Sequence, residues 1–393
     1  MPPTDVSLPI YMDYHATTPL DRRVLDEMMP YFAEKFGNAS SLDHPYGHDA
    51  SVAVETARER LARLIGAKQG HEIVFTSGAT ESDNLALTGV MEAYADKGDH
   101  MITCVTEHKA ILDTAKHLES MGKKVTYLPV DRHGHVSASN IRDAITDKTV
   151  LISIMMANNE IGTIADVRVI GRIAHDHDVL FHTDAAQAVG HVPVNVQDMN
   201  IDLMSFSSHK MCGPKGIGAL YIRAIRPRVR VLPSMHGGGQ ERSMRPGTLN
   251  VPSIVGFGKA ADIAQKEMSD ENKRFQKWSA KIIDTLSKTS GAVHNGDPDK
   301  RLPHNISLTF PGIDGKAIIN SISERVAISA GSACTTQTVE PSHVLLALGM
   351  DAEAAHSSIR IGLGRFNTEA EVRYVVDAIS EAVKDLRRID SLV

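Results

Sequence analysis

A chain of 393 residues with 42% apolar side chains can bury a large core and is expected to divide into two lobes. Its 42 Lys plus Arg against 48 Asp plus Glu give a formal charge of -6, with no basic run suited to tracking phosphates, so no nucleic acid partner is expected. The longest apolar stretch, 151–157 with Ser153 inside it, is far below the roughly 20 residues a bilayer span requires, so no membrane crossing is expected either.

The opening MPPTDVSLPIYMDYHATT contains Asp5 and Asp13 and lacks the basic head and apolar stretch of an export signal. Short β-rich runs then alternate with longer helical patterns, which predicts an α/β fold around a mostly parallel sheet. Seven strands are expected: Glu72 to Thr76, His100 to Thr106, Val125 to Pro129, Val150 to Ala157, Val179 to Thr183, Asp202 to Ser207 and Gly218 to Ile222. Helices should lie between them, one from just after Gly78 to about Lys97. Another, over Asp166 to Asp176, puts Val167, Ile170, Ile173 and Ala174 on one face. Past Gly237 to Gly239 comes a glycine- and proline-rich loop, and then a long polar helix beginning near Ile254. The lobes are expected to divide there, into a large domain over 16–257 and a small α+β domain made of 1–15 and 258–393. Cys104, Cys212 and Cys334 are odd in number and widely spaced, with no CxxC pair to suggest a disulfide or a metal site. A reducing, cytoplasmic setting is the simplest reading.

Three segments carry candidate chemistry. In EIVFTSGATESDN a strand turns at Gly78 into a helix, whose first unpaired N–H groups near Ala79, with the Thr80 hydroxyl, suit a phosphate; ordinary helix capping explains the same residues. In VLFHTDAAQAVG a strand delivers Asp184 at its C-terminal end, where open α/β sheets bind ligands. A carboxylate there can hold a pyridine nitrogen protonated, with Gln187 near the ring's phenolic oxygen, or it can cap the next helix. In IDLMSFSSHK a further strand ends in Ser207, His209 and Lys210, and Lys210 is the candidate Schiff-base lysine. The order of these three segments supports one shared site.

At this level of detail the chain resembles the NifS/IscS cysteine desulfurases, class V aminotransferases of pyridoxal 5′-phosphate fold type I. Matching segments include YMDYHATTP, FGNASSLDH, TEHKA, NNEIGT, HGGGQERSMRPGTLNVP, GSACT, EPSHVL and AHSSIRIGLGRF, in family order over nearly the whole chain. The resemblance implies that Lys210 carries pyridoxal 5′-phosphate and that His108 stacks on the ring and moves protons. It places Asp184 at the ring nitrogen, Asn159 and Gln187 against the ring, and Ala79, Thr80, Ser207 and His209 around the phosphate. Thr248 would reach the phosphate of the neighbouring subunit, which implies a homodimer with shared active sites. Arg360 would clamp the substrate carboxylate, since a planar guanidinium matches it bidentately, with Asn38 and Asn159 helping to hold the amino acid; a structural salt bridge is the alternative for Arg360. A few positions depart from the family pattern, among them Ala39, Ser208 and Pro246, and none removes a reacting group.

Cys334 decides which reaction is expected. It sits among small and polar residues in SAGSACTTQTVEP, whereas Cys104 in MITCV suits a buried packing role, as Cys212 does beside Lys210. An accessible thiolate there can take sulfur from bound L-cysteine as a persulfide, leaving L-alanine. The resemblance implies delivery to an iron–sulfur scaffold or a tRNA thiolation protein. A selenocysteine lyase or an ordinary aminotransferase on the same fold are the enzyme alternatives, and a non-catalytic docking protein is the alternative of another class.

Overall fold

Seven runs rich in β-branched and aliphatic residues pair into one sheet. The computed structural model describes residues 6–330 and 340–390. A short strand, β1 (Ile10–Tyr11), opens the described chain, followed by helices α1 (Arg22–Met28), α2 (Pro30–Ala33) and α3 (Pro45–Ile65). The sheet comprises β2 (Ile73–Thr76), β3 (His100–Cys104), β4 (Lys124–Leu128), β5 (Thr149–Ser153), β6 (Leu180–Asp184), β7 (Leu203–Ser207) and β8 (Gly218–Ile222). Its crossovers are α4 (Ala79–Ala93), α5 (Lys109–Ser120), α6 (Ala138–Ala144) and α7 (Val167–Asp176). The strand order is β2-β8-β7-β6-β5-β3-β4. β3, β4, β5, β6 and β7 run parallel, and β8 is antiparallel to both its neighbours.

That single reversed strand leaves β2, β3, β5, β6 and β7 pointing the same way, so their C-terminal ends open onto one edge, the edge at which such sheets bind ligands. Both faces are covered by buried apolar side chains, one around Phe75, Ile152, Phe181 and Phe206, the other around Val74, Leu151, Leu203 and Leu220. Only the edge strand β4, which begins at exposed Lys124, is largely half-buried. Unpaired edges invite association with other chains, and a charged, short edge strand counters this.

After β8 the chain passes through a turn at Gln240–Ser243 in which Glu241, Arg242 and Ser243 all take positive φ. A buried ion pair fixes it: Arg58 Nη2 lies 2.7 Å from Glu241 Oε1, and Glu241 Oε2 accepts from Phe75 N at 2.7 Å. The 40-residue helix α8 (Val251–Ser290) follows, capped by Asn250, whose side chain accepts from Ser253 N, and closed by left-handed Gly291. The helix begins three residues before the expected Ile254, because the Asn250 cap and Pro252 in the first turn together set its start. Its first half packs Ile254, Phe257 and Ala261 on the large core. Its second half packs Phe275, Trp278, Ile282 and Leu286 into a separate core.

The remaining elements are β9 (Val293–His294), β10 (Asn305–Thr309), α9 (Gly315–Ile322), β11 (Val326–Ala327), β12 (Ser329–Ala330), α10 (His343–Ala347), α11 (Ala352–His356), β13 (Ser358–Gly362) and α12 (Glu369–Asp390). Of these, β10, α9, β11, β13 and α12 contribute to that second core, whereas Val344, Leu345 and Ala355 of α10 and α11 pack a small separate cluster with Ile161. Their four-stranded antiparallel sheet has the order β12-β13-β10-β9, and β1 pairs with β11. The N-terminal arm is therefore tied to the C-terminal part of the chain before it crosses to the large sheet. Among the described residues no helix is long and apolar enough to cross a membrane.

Candidate active site

The C-terminal edge of the large sheet forms one wall of a cavity of 920 Å³, within the range that holds a cofactor and a small substrate. Ala79, Thr80, Ser207 and His209 line it at one end. His108, Asn159, Asp184, Gln187, Lys210 and Arg360 line the rest. Residues that follow β2, β3 and β5 thus converge with the ends of β6 and β7 and with Arg360 of β13.

The anion cup forms because α4 starts on a residue with no side chain. Gly78 is its N-cap and makes no side-chain cap hydrogen bond, so the helix's first N–H groups keep no capping side chain. Thr80 therefore sits inside the first turn and does not cap it. β8 begins close by: a Cβ on Gly218 would stand 2.6 Å from Gly78 Cα, so only glycine permits this approach. Ser207 Oγ, on the same wall, is buried with no hydrogen-bond partner. A buried hydroxyl left unpaired beside uncapped helix N–H groups fits the phosphate of pyridoxal 5′-phosphate.

Asp184 ends β6 and is buried; its Oδ1 accepts from Ala186 N at 2.9 Å. It closes a turn, and no helix follows it. Burial pushes its carboxyl above the usual range, opposed by the charges of His108 and Lys210 and by the Ala186 N–H. Lys210 follows β7 in a one-turn helix over Ser208–Lys210. Its Nζ donates to His15 O and, at 2.8 Å, to Ala16 O. His108 caps α5 by accepting from Ala110 N on Nδ1 at 3.1 Å, so in the neutral ring the proton sits on Nε2. His209 Nδ1 contacts Thr17 Oγ1 at 3.1 Å, and burial brings its pKa down to about 4.

Arg360, on β13, is buried and lines the same cavity. Nη2 donates to Asp13 Oδ1 at 2.8 Å and Ser329 Oγ at 2.9 Å, and Nη1 to Asn159 O at 3.0 Å. Its buried Nε has no partner. The salt bridge and the cavity-facing position therefore coexist, with Asp13 aiming the guanidinium. Asn38 and Thr248 are exposed and do not line the cavity of this chain. Cys334 lies outside the described residues; Glu340 and Pro341 line the cavity. Cys104 and Cys212 are buried, in keeping with packing roles.

Four titratable groups that sequence patterns did not single out crowd this site. Asp83 lies one turn beyond Ala79 on α4, fully buried, with His182 Nε2 3.7 Å from its Oδ1; burial and the nearby Asp184 raise its pKa well above the usual range. Burial also pushes Glu160 up to about 7, where it accepts from Ser342 Oγ. His15 meets Gln187. Glu107 adjoins His108; its Oε1 accepts from Met155 N at 2.6 Å and from the Cys104 thiol at 3.3 Å, and burial brings its pKa up to about 8. Spacing along the helix was the one available signal for Asp83; the others are lone residues that only the fold brings inward.

Glu107 yields a pH prediction. Its carboxyl titrates from 4.5 in the unfolded chain to about 8 in the fold, so between those values the native state holds a proton that the unfolded chain has lost. Stability falls as pH rises through that window. Urea unfolding should show the parent losing roughly 3 kcal/mol more than Glu107→Gln between pH 5 and pH 8. Parallel pH profiles for the two proteins would contradict the buried protonated carboxyl.

Comparison with known proteins places this cavity in a family. The class-V aminotransferase model matches residues 10–375. The cysteine desulfurase IscS of Rickettsia bellii is 50% identical over 386 residues, covering 98% of this chain and 93% of that relative. A solved NifS-like protein superposes with a TM-score of 0.90 at 40% identity, over 96% of this chain and 100% of the other. A structure described as SspA in complex with cysteine superposes with a TM-score of 0.79 at 38% identity, over 91% and 100% of the two chains. The chain belongs to the class-V aminotransferases and, within them, to the NifS/IscS cysteine desulfurases, enzymes that work with pyridoxal 5′-phosphate in a site of this kind.

Proposed function

We propose that the chain converts L-cysteine to L-alanine and holds the released sulfur as a persulfide on Cys334. The observation that carries this reading is the convergence, in one cavity, of an amine (Lys210), a buried carboxylate (Asp184), an uncapped helix N-terminus and a guanidinium (Arg360). Ala79, Thr80, Ser207 and His209 would hold the phosphate of pyridoxal 5′-phosphate, with Asp184, Gln187, Asn159 and His108 around its ring. Bound there, the cofactor supplies an electron sink for the substrate Cα.

The protein's own groups then do the rest. Arg360 binds the substrate carboxylate, assisted by Asn159. Lys210 Nζ takes the Cα proton and later returns one, and His108 moves a proton at the departing sulfur. The Cys334 thiolate attacks the substrate sulfur, the C–S bond breaks, and L-cysteine plus one thiol become L-alanine plus one persulfide, with no external oxidant. Both described flanks support this placement: Ser329 bonds Arg360, and Glu340 lines the cavity.

Exposed Met29, Phe32, Phe36, Leu42 and Tyr46 cluster along one stretch of sequence, which supports a subunit face. We assign Asn38 and Thr248 to sites completed across the boundary of a homodimer. We take the chain to divide into 16–257 against 1–15 and 258–393, a boundary inside α8, although the helix stays on the large core as far as Ile263 and reaches the second core from Phe275. The persulfide would pass to an iron–sulfur scaffold or another sulfur acceptor in the cytoplasm.

The test is to incubate the protein with L-cysteine and weigh the intact chain and its peptides. One added sulfur on the peptide containing Cys334 is expected, and none in Cys334→Ser. Transfer of the amino group to a keto acid with no added sulfur would point to an aminotransferase instead.

A further inference from the structure

His15 reaches the cavity from the N-terminal arm, and its contacts with Gln187 determine which atoms that amide can offer. The His15 backbone carbonyl accepts from Gln187 Nε2 at 3.1 Å, and the His15 ring Nδ1 lies 2.9 Å from Gln187 Oε1. A carbonyl oxygen cannot donate, so the amide atom facing it must be nitrogen, and the atom facing the ring must be oxygen. An oxygen at that distance requires a proton on Nδ1. The lone pair of His15 then sits on Nε2, which is buried and unpaired. Burial keeps the ring neutral, with its pKa lowered to about 3, as this tautomer demands.

The amide's account of donors follows. Gln187 has two N–H groups and one carbonyl; His15 takes the carbonyl and one N–H, leaving one N–H to present to the cavity. The imidazole that imposes this arrangement is itself held. It stacks on His304 at 4.6 Å, His304 stacks on His191 at 4.2 Å, and His191 Nε2 lies 2.8 Å from Lys210 O. Three stacked rings thus connect the amide orientation to the backbone of the lysine. The His15 carbonyl also receives Lys210 Nζ.

We propose that His15 is a positioning residue of the cofactor site, donating from Nδ1 to Gln187 Oε1 so that Gln187 presents an N–H donor, and not its carbonyl, to the phenolic oxygen of bound pyridoxal 5′-phosphate. The proposal rests on the cofactor role assigned to Gln187 above. An ionised phenolic oxygen is stabilised by a donor and repelled by a carbonyl, so the orientation bears on both cofactor grip and colour. Loss of the ring donor would leave Gln187 Oε1 a buried acceptor without a partner and release the amide to turn.

The holoenzyme tests this with His15→Leu and His15→Asn, the second keeping an amide N–H near the Nδ1 position while removing the stacking ring. In His15→Leu, pyridoxal 5′-phosphate should bind roughly ten-fold more weakly and the visible absorbance maximum should shift. His15→Asn should restore the maximum and most of the affinity. Gln187→Leu should shift the band as His15→Leu does, and the double variant should add little further loss. An H15N protein as impaired as H15L would assign His15 to ring packing and overturn the proposal, as would additive losses. If H15L does not fold, a Q187L band identical to the parent's still overturns it. A parent that takes up no cofactor would overturn the functional reading and this proposal together, whereas a yellow parent matched by an unchanged H15L band overturns the proposal alone.

Discussion

Replacing Lys210 with alanine should leave a folded protein that lacks the visible band of lysine-attached pyridoxal 5′-phosphate and whose alanine production from L-cysteine falls by at least about 10³-fold. Two roles are lost at once: the amine to which the cofactor's aldehyde attaches, and the base that handles the Cα proton. The surroundings of Nζ suit the second role. A base that has accepted a proton becomes an ammonium, and His15 O and Ala16 O both stand as acceptors for it. These are backbone groups, fixed by the arm between β1 and α1, so no side-chain change is needed to receive the charge. The fold should tolerate the substitution, since Lys210 is only half-buried and the local turn is held by other bonds, Met211 N to Ser208 O and Cys212 N to Thr18 Oγ1. The measurement is an absorbance spectrum alongside an alanine assay. A yellow K210A protein with parental turnover would remove this lysine from the mechanism.

Much of the architecture was legible because the strands are short, buried on both faces and rich in β-branched residues, so each reads as a continuous apolar run. Gly218 to Ile222 coincides with its strand, and the others agree to within one residue, except two that end sooner than the sequence reading expected. β3 stops at Cys104 instead of Thr106. β5 stops at Ser153 instead of Ala157, because beyond it only single bonds continue, Ile154 N to His182 O and Met156 N to Asp184 O. Burial persisted there while the ladder did not, and composition reports burial alone. The helix α3 left a weaker trace: half of its buried face is Gly47, Ala50, Ala57 and Ala62, residues too small to stand out from a polar background.

The site divides along the same line. Residues delivered at strand ends, Asp184, Ser207 and Lys210, were readable because a strand fixes where its last residue points. Arg360 was readable as a β residue, but its Asp13 partner, 347 residues away in the chain, was not. Asp83, Glu107 and Glu160 are single carboxyls whose meaning depends on being buried together, and burial of a charge is a property of the assembled fold. His15 is the sharpest case, since the fold supplies its amide partner from 172 residues further along.

The carboxylate of Asp184 should matter nearly as much as the amine of Lys210, but with a different signature. Asp184→Asn keeps the size and an oxygen able to accept from Ala186 N, so the turn after β6 should survive. What disappears is the negative charge. Burial and the nearby Asp83 work against that charge and push the carboxyl above its usual range, while His108, the Ala186 N–H and Lys210 favour the ionised form. A cofactor ring nitrogen bound beside it would be kept protonated by the carboxylate, and an amide could not hold the proton there. We expect kcat for alanine formation to fall roughly 10²- to 10³-fold, the range typical when one preorganised electrostatic partner is removed. The protein should remain yellow, because Lys210 is untouched. The pair of variants then separates attachment from activation: the lysine-attached band lost in K210A, a lysine-attached band kept with turnover lost in D184N. Parental kcat in D184N would show that the ring nitrogen needs no charged partner, and the role assigned to the end of β6 would fall.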